Sequence, residues 1–139
     1  MAKIARDVMT PGPECIREDE TLLDASKKLA KLGIGSMPIC GDDDQLKGMI
    51  TDRDIVVKAI AQGKDPASTR ASELAQGKPV TIGADDSLQE TLQTMAQHKV
   101  RRLPVIDGHE LVGIIAVADV ARQLPDDAAK GDLIQAISS

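Results

Sequence analysis

The apolar positions of this chain alternate between two periods. In "TLLDASKKLAKLG", residues 21–33, Leu22, Ala25, Leu29 and Leu32 fall on one face of a helix. Thr21 stands in the N-cap place, Asp24 three residues later, and Gly33 just past the end. On either side the spacing changes. "ECIR" before the helix, and "GSMPIC" and "LKGMIT" after it, are short apolar runs bounded by Pro, Gly and Asp, which predict strands. "DRDIVVKAIAQG" then returns to helical spacing. The predicted order is β-α-β-β-α.

That order occurs twice. Displacing the sequence by 66 residues aligns Ala5 with Ala71, Pro13 with Pro79, Ile16 with Ile82, Leu22 with Leu88 and Pro38 with Pro104. One residue fewer in the second copy then aligns Gly48 with Gly113 and Asp54 with Asp119. The deletion falls where a hairpin loop absorbs it. Ser87 and Glu90 repeat the capping pattern, and Leu88, Leu92 and Met95 repeat the stripe. The expected domains are 1–66, the first repeat with the N-terminal segment and the start of a linker, and 67–139, the second repeat with the tail. A repeat this small buries too little to stand alone, so two should share a core. "AQGKDPASTRASELAQGK" predicts a linker, and Leu133, Ile134 and Ile137 predict a short amphipathic helix over a core edge or a partner.

Composition narrows the function. A net charge of -5 sets the chain against nucleic acid, and the absence of Phe, Tyr and Trp removes stacking platforms. A flat ligand would have to be gripped by aliphatic side chains. No long apolar segment or secretory leader is seen, so a cytoplasmic location away from membranes is expected. Cys15 and Cys40 are too few for a disulfide framework or zinc site. Asp42, Asp43 and Asp44 lack the spaced ligands of a calcium loop, and His98 and His109 have no cysteine at metal spacing, so no metal site is expected.

The phrase "GMITDRD" and its echo "GIIAVAD" carry the chemistry. Thr51 and Asp54 have the spacing of a capping box at the start of a helix, which is one sufficient reading. A second is that the helix start presents N–H groups and a hydroxyl to phosphate, while the carboxylate accepts the hydroxyls of a ribose. Asp119 favours the second reading, because Ala116 in the cap place cannot make the reciprocal bond. No Ser-His-Asp or Cys-His arrangement is suggested, so an enzyme is not expected.

With "GMITDRD", "GIIAVAD", "GSMPI", "RRLPV" and "ECIREDETLLDA" in place, the sequence resembles paired CBS domains, the Bateman module, over nearly its whole length. The resemblance implies an α/β (α+β) fold, two β-α-β-β-α repeats packed about a pseudo-two-fold axis. It also implies a non-enzymatic regulatory or sensing role, with AMP, ADP, ATP or S-adenosylmethionine bound in clefts between the repeats and no required cofactor. By this resemblance Thr51 meets phosphate and Asp54 ribose, with Cys15, Ile16, Gly35, Met37 and Pro38 around the adenine. The matching positions of the second cleft are Asp119, Val80, Arg102 and Leu103, with Ala116 departing from the hydroxyl. A homodimer acting on an unknown protein target is implied. The alternative is a structural or protein-interaction module, stress-related, that binds no nucleotide. Separately, Cys15 opens one strand and Cys40 closes its crossover neighbour, which makes them a candidate redox pair.

Overall fold

A computed structural model describes residues 3–75 and 79–138. In chain order its elements are α1 (Ala5–Val8), β1 (Thr10–Pro11), β2 (Ile16–Arg17), α2 (Leu22–Leu32), β3 (Ser36–Cys40), β4 (Leu46–Thr51), α3 (Asp52–Asp54), β5 (Ile82–Gly83), α4 (Leu88–His98), β6 (Arg102–Asp107), β7 (Glu110–Ala116), α5 (Val117–Gln123) and α6 (Ala128–Ser138). The expected order appears twice, as β2-α2-β3-β4-α3 and as β5-α4-β6-β7-α5. The fold is mixed α and β, with two copies of one motif.

In the first copy β2 lies parallel to β3, and β3 antiparallel to β4. The parallel pair requires a crossover, and α2 supplies it. Its stripe buries Leu22, Ala25 and Leu29 against Ile16, Met37, Ile39, Ile50 and Ile55. Leu32, the fourth predicted stripe residue, is 40% exposed in the last turn of the helix. Each fully buried Leu or Ile contributes about 1.5–3 kcal/mol of apolar transfer. Thr21 and Asp24 form the expected capping box, and Gly33 ends the helix with φ 66°. After α3 the helix is irregular: a wide turn spans Ile55–Ala59 and a tight one Ile60–Gln62.

The predicted linker is not a bare connection. The N–H groups of Leu22 and Leu23, unpaired within α2, donate to the carbonyls of Thr69 at 2.8 Å and Pro66 at 3.0 Å. Ala71 and Leu74 enter the core of the first copy. Gln76, Gly77 and Lys78, the end of that predicted linker, lie outside the described residues.

In the second copy the sheet order is β1-β7-β6-β5. Its core joins Leu88, Leu92 and Met95 of α4 to Ile82, Leu103, Val105, Ile115 and Val120. As expected of an amphipathic tail, α6 covers a core edge, with Ile137 buried and Leu133 and Ile134 packed beside it. The irregularity between Ile39 and Cys40 in β3 recurs between Val105 and Ile106 in β6, so the two copies share even their bulge.

The packing units are not the contiguous halves 1–66 and 67–139. They are Glu14–Pro79 and the combination of Met1–Pro13 with Val80–Ser139. The reason is the segment that leads into each repeat. Ala5 and Arg6 donate to the carbonyls of Asp86 and Ala84 at 2.9 Å, and Thr10 and Pro11 pair with Ile114 and Gly113. A β-carbon added to Gly113 would stand 2.9 Å from the Thr10 carbonyl oxygen. One added to Gly48 would stand 2.7 Å from the Ala75 β-carbon. Met9 and Ala75 are equivalent under the 66-residue repeat, so each leader packs on the opposite copy's final strand. This close approach explains why both echoed phrases begin with glycine.

Candidate functional site

Thr51 ends β4 in extended conformation and Asp54 lies one turn into the helix that follows. The Thr51 hydroxyl oxygen accepts the Asp54 N–H at 2.9 Å, and the Asp54 carboxylate accepts the Thr51 N–H at 3.3 Å. Lys58, four residues on, places Nζ 3.3 Å from the other carboxylate oxygen. Spacing at i and i+4 allows that pair, although it was not singled out from the sequence. The Asp54 side chain is 24% exposed and so is fixed yet reachable.

The helix start does not present bare amides to an anion, contrary to expectation. The Asp52 N–H donates to the Gly35 carbonyl at 2.9 Å, the Arg53 N–H to the Asp52 carboxylate at 2.7 Å, and the Asp54 N–H to Thr51. What remains for a ligand is side-chain chemistry. Thr51 Oγ1 is used as an acceptor, which leaves its O–H to donate. Asp54 retains acceptor capacity, and Lys58 supplies the cation beside it.

Gly35 belongs to this junction because a β-carbon there would lie 3.2 Å from Asp52 Oδ2. Gly35 and Asp52 also line an open groove of about 560 Å³ with Leu29, Gly33, Ile55 and Val56. Ile16 and Met37 have side chains in the core, at 0% and 1% exposure. Pro38 is buried beside Met37, and Cys15 is half-buried at the entry to β2. The buried members therefore offer backbone rather than side chains to a ligand. Cys15 and Cys40 are joined as a disulfide with Cα atoms 5.8 Å apart.

The second copy reproduces the backbone but changes the chemistry. Val117 N–H donates to the Arg101 carbonyl at 2.8 Å, the counterpart of Asp52 to Gly35. Ala116 caps α5 with no side-chain bond, and Asp119 pairs with Arg122. Arg102 lies opposite Ala116 in the ladder, as Ser36 lies opposite Thr51. Arg102 is exposed, Leu103 is buried and Val80 is half-buried. The Arg122 partner also escaped the sequence reading, although its i, i+3 spacing was visible.

A family model described as CBS domain matches residues 5–60 and 71–126, which are the two repeats. The protein is a CBS-domain pair. Such pairs are generally regulatory, non-catalytic modules. This CBS pair is 51% identical over 124 residues to Hypoxic response protein 1 of Mycobacterium tuberculosis, covering 89% of this chain and 87% of the relative. It also matches the crystal structure of Hypoxic Response Protein I with two coordinated zinc ions, at TM-score 0.83 and 50% identity, over 88% of this chain and all of that one. The CBS domain pair of protein MJ0100, solved with 5'-methylthioadenosine and S-adenosyl-L-methionine, matches at TM-score 0.76 and 26% identity, over 88% of this chain and 95% of that one. Among the described residues no three His, Cys, Asp or Glu side chains of the one chain come together to hold a metal ion.

Proposed function

We propose that this CBS pair is a non-enzymatic sensor of an adenine nucleotide or nucleoside, with AMP, ADP, ATP or S-adenosylmethionine as the candidate ligands and its principal site at the Thr51–Asp54 junction. The observation that carries the reading is the reciprocal Thr51–Asp54 pair, which holds a half-buried carboxylate beside a hydroxyl whose proton is uncommitted. A ribose diol supplies two donors to such a carboxylate, and a phosphate accepts from the hydroxyl and from Lys58. In the second copy Ala116 lacks the hydroxyl, while Asp119 carries a basic partner in Arg122 as Asp54 does in Lys58, so the two sites are unequal in the phosphate contact. The adenosyl ligands held by the MJ0100 pair fit this chemistry.

Action is through another protein, and the working form is a homodimer in the cytoplasm. Val56, Val57 and Ile60 project 43–58% exposed from one helix, an apolar stripe suited to self-association. Among the described residues no helix is long and apolar enough to cross a membrane. A second reading is a protein-interaction module that binds no nucleotide. It is favoured by the internal satisfaction of the helix-start amides, which makes Thr51 and Asp54 a complete cap without a ligand. The name of the Mycobacterium relative lends that module a stress-related setting.

Equilibrium dialysis against the four ligands, read at 260 nm where a chain without Phe, Tyr or Trp absorbs little, separates the readings. Saturable binding supports the sensor. No binding up to millimolar ligand leaves the interaction module.

A further inference from the structure

One covalent ring encloses most of the first copy's candidate ligand residues. The Cys15–Cys40 disulfide closes a loop of sequence separation 25, tying the entry of β2 to the end of β3. Ile16, Gly35, Met37 and Pro38 all lie within it. Beside this bond β2 is registered against β3 at Ile16 with Ile39 and Arg17 with Cys40, the Glu18 N–H donates to the Cys40 carbonyl at 3.2 Å, and the Arg17 guanidinium donates to the Gly41 carbonyl at 2.8 Å. A strand that short has few ladder bonds of its own to fix its position. The second copy keeps the same register, Ile82 with Val105 and Gly83 with Ile106, with Thr81 and Ile106 at the cysteine positions, so the covalent tie is a constraint on β2 that the first copy alone adds.

The tie is placed for exchange. Cys15 is half-buried while Cys40 is buried, so an external thiolate has one sulfur to approach. Lys28 Nζ donates to the Cys15 carbonyl at 3.2 Å and pairs with Glu20 at 3.0 Å, which ties the Cys15 backbone to α2. The chain has no third cysteine, so exchange runs with an outside partner.

We propose that this disulfide is a reversible clamp on the nucleotide site: closed, it holds β2 against β3 in the binding arrangement, and its reduction by a dithiol lowers affinity. The proposal rests on the nucleotide-binding reading above. In the exchange, one thiolate of a small-molecule or thioredoxin-type dithiol attacks the Cys15 sulfur and displaces the Cys40 thiolate. The second thiolate of the reductant then attacks its own sulfur in the mixed disulfide and releases Cys15. The protein disulfide gains two electrons and two protons, and the dithiol leaves as a disulfide.

The test is dialysis of the oxidised protein, the same protein in dithiothreitol, and Cys40→Ala, each against AMP, ATP and S-adenosylmethionine. Circular dichroism checks the fold, and amide exchange is followed at Ile16 and Arg17. The clamp predicts about tenfold or greater loss of affinity on reduction. It also predicts recovery on reoxidation, and faster exchange of the two β2 amides. Should Cys40→Ala not fold, the reduced wild type decides alone. Equal or tighter binding in the reduced form, unchanged exchange, or a bond that dithiothreitol leaves intact in the native protein overturns the clamp and leaves the sensor standing. Failure of the oxidised protein to bind any of the three probes overturns both.

Discussion

Replacing Thr51 by Ala removes the oxygen that accepts the Asp54 N–H at 2.9 Å and loosens the return bond from the Thr51 N–H at 3.3 Å. Loss of an N-cap oxygen costs about 1 kcal/mol, and the longer reciprocal bond adds a few tenths. The expected destabilisation is therefore about 1–1.5 kcal/mol. For a chain of 139 residues that lowers the melting temperature by roughly 3–5 °C. The second copy supplies the converse experiment. Ala116 already has the extended cap conformation, φ -106° and ψ 150°, with Asp119 three residues on, so Ala116→Thr should gain about 0.5–1 kcal/mol. Urea denaturation followed by far-ultraviolet circular dichroism suits a chain with no Trp. Thr51→Ala within about 0.3 kcal/mol of wild type, or Ala116→Thr as destabilising as Thr51→Ala, would refute the argument that the hydroxyl caps one helix and is missing from the other.

Gly113→Ala should cost about 1–3 kcal/mol by overpacking, because the added carbon meets Met9 and the Thr10 carbonyl, and a melt of the variant reads it directly. Opening the Cys15–Cys40 ring should cost about 3.5 kcal/mol on the chain-entropy model, measured by urea denaturation with and without reductant. Asp126 accepts from Lys130, and that hydrogen bond with its attendant charge holds the carboxyl below its ordinary 3.8. Its folded-state value is depressed, so its contribution is present above the ordinary value and fades as pH falls below it. Asp126→Asn should accordingly show a slightly shallower acid loss of stability than wild type, in melts taken from neutral pH downward.

The repeated order of elements was legible because local signals agree with one another. Thr21 with Asp24, Gly33 at the helix end and the alternation through "LKGMIT" each specify their element without distant help. The leader segments were not legible in this way. Residues 5–11 and 71–75 carry no strong period, and their places depend on two glycines far away in sequence. The same limit applies to the site. Asp54 and Asp119 announced themselves through repetition and Thr51 through its replacement by Ala116, whereas the state of the helix-start amides depends on the Gly35 carbonyl. The buried stations of Ile16 and Met37 follow from sheet register, which no short motif states. Lys58 and Arg122 were open to a simple spacing rule and alter the charge at each carboxylate.

The central claim is that the principal site lies in the first copy, where the Asp54 carboxylate accepts a ribose beside the Thr51 hydroxyl that Ala116 lacks in the second. Asp54→Asn and Asp119→Asn, each checked for fold by circular dichroism, would be dialysed beside wild type against AMP, ATP and S-adenosylmethionine. Binding by wild type that falls at least about tenfold in Asp54→Asn, with a smaller change in Asp119→Asn, is the expected result. Binding that is absent in wild type, or equal in wild type and Asp54→Asn, contradicts it.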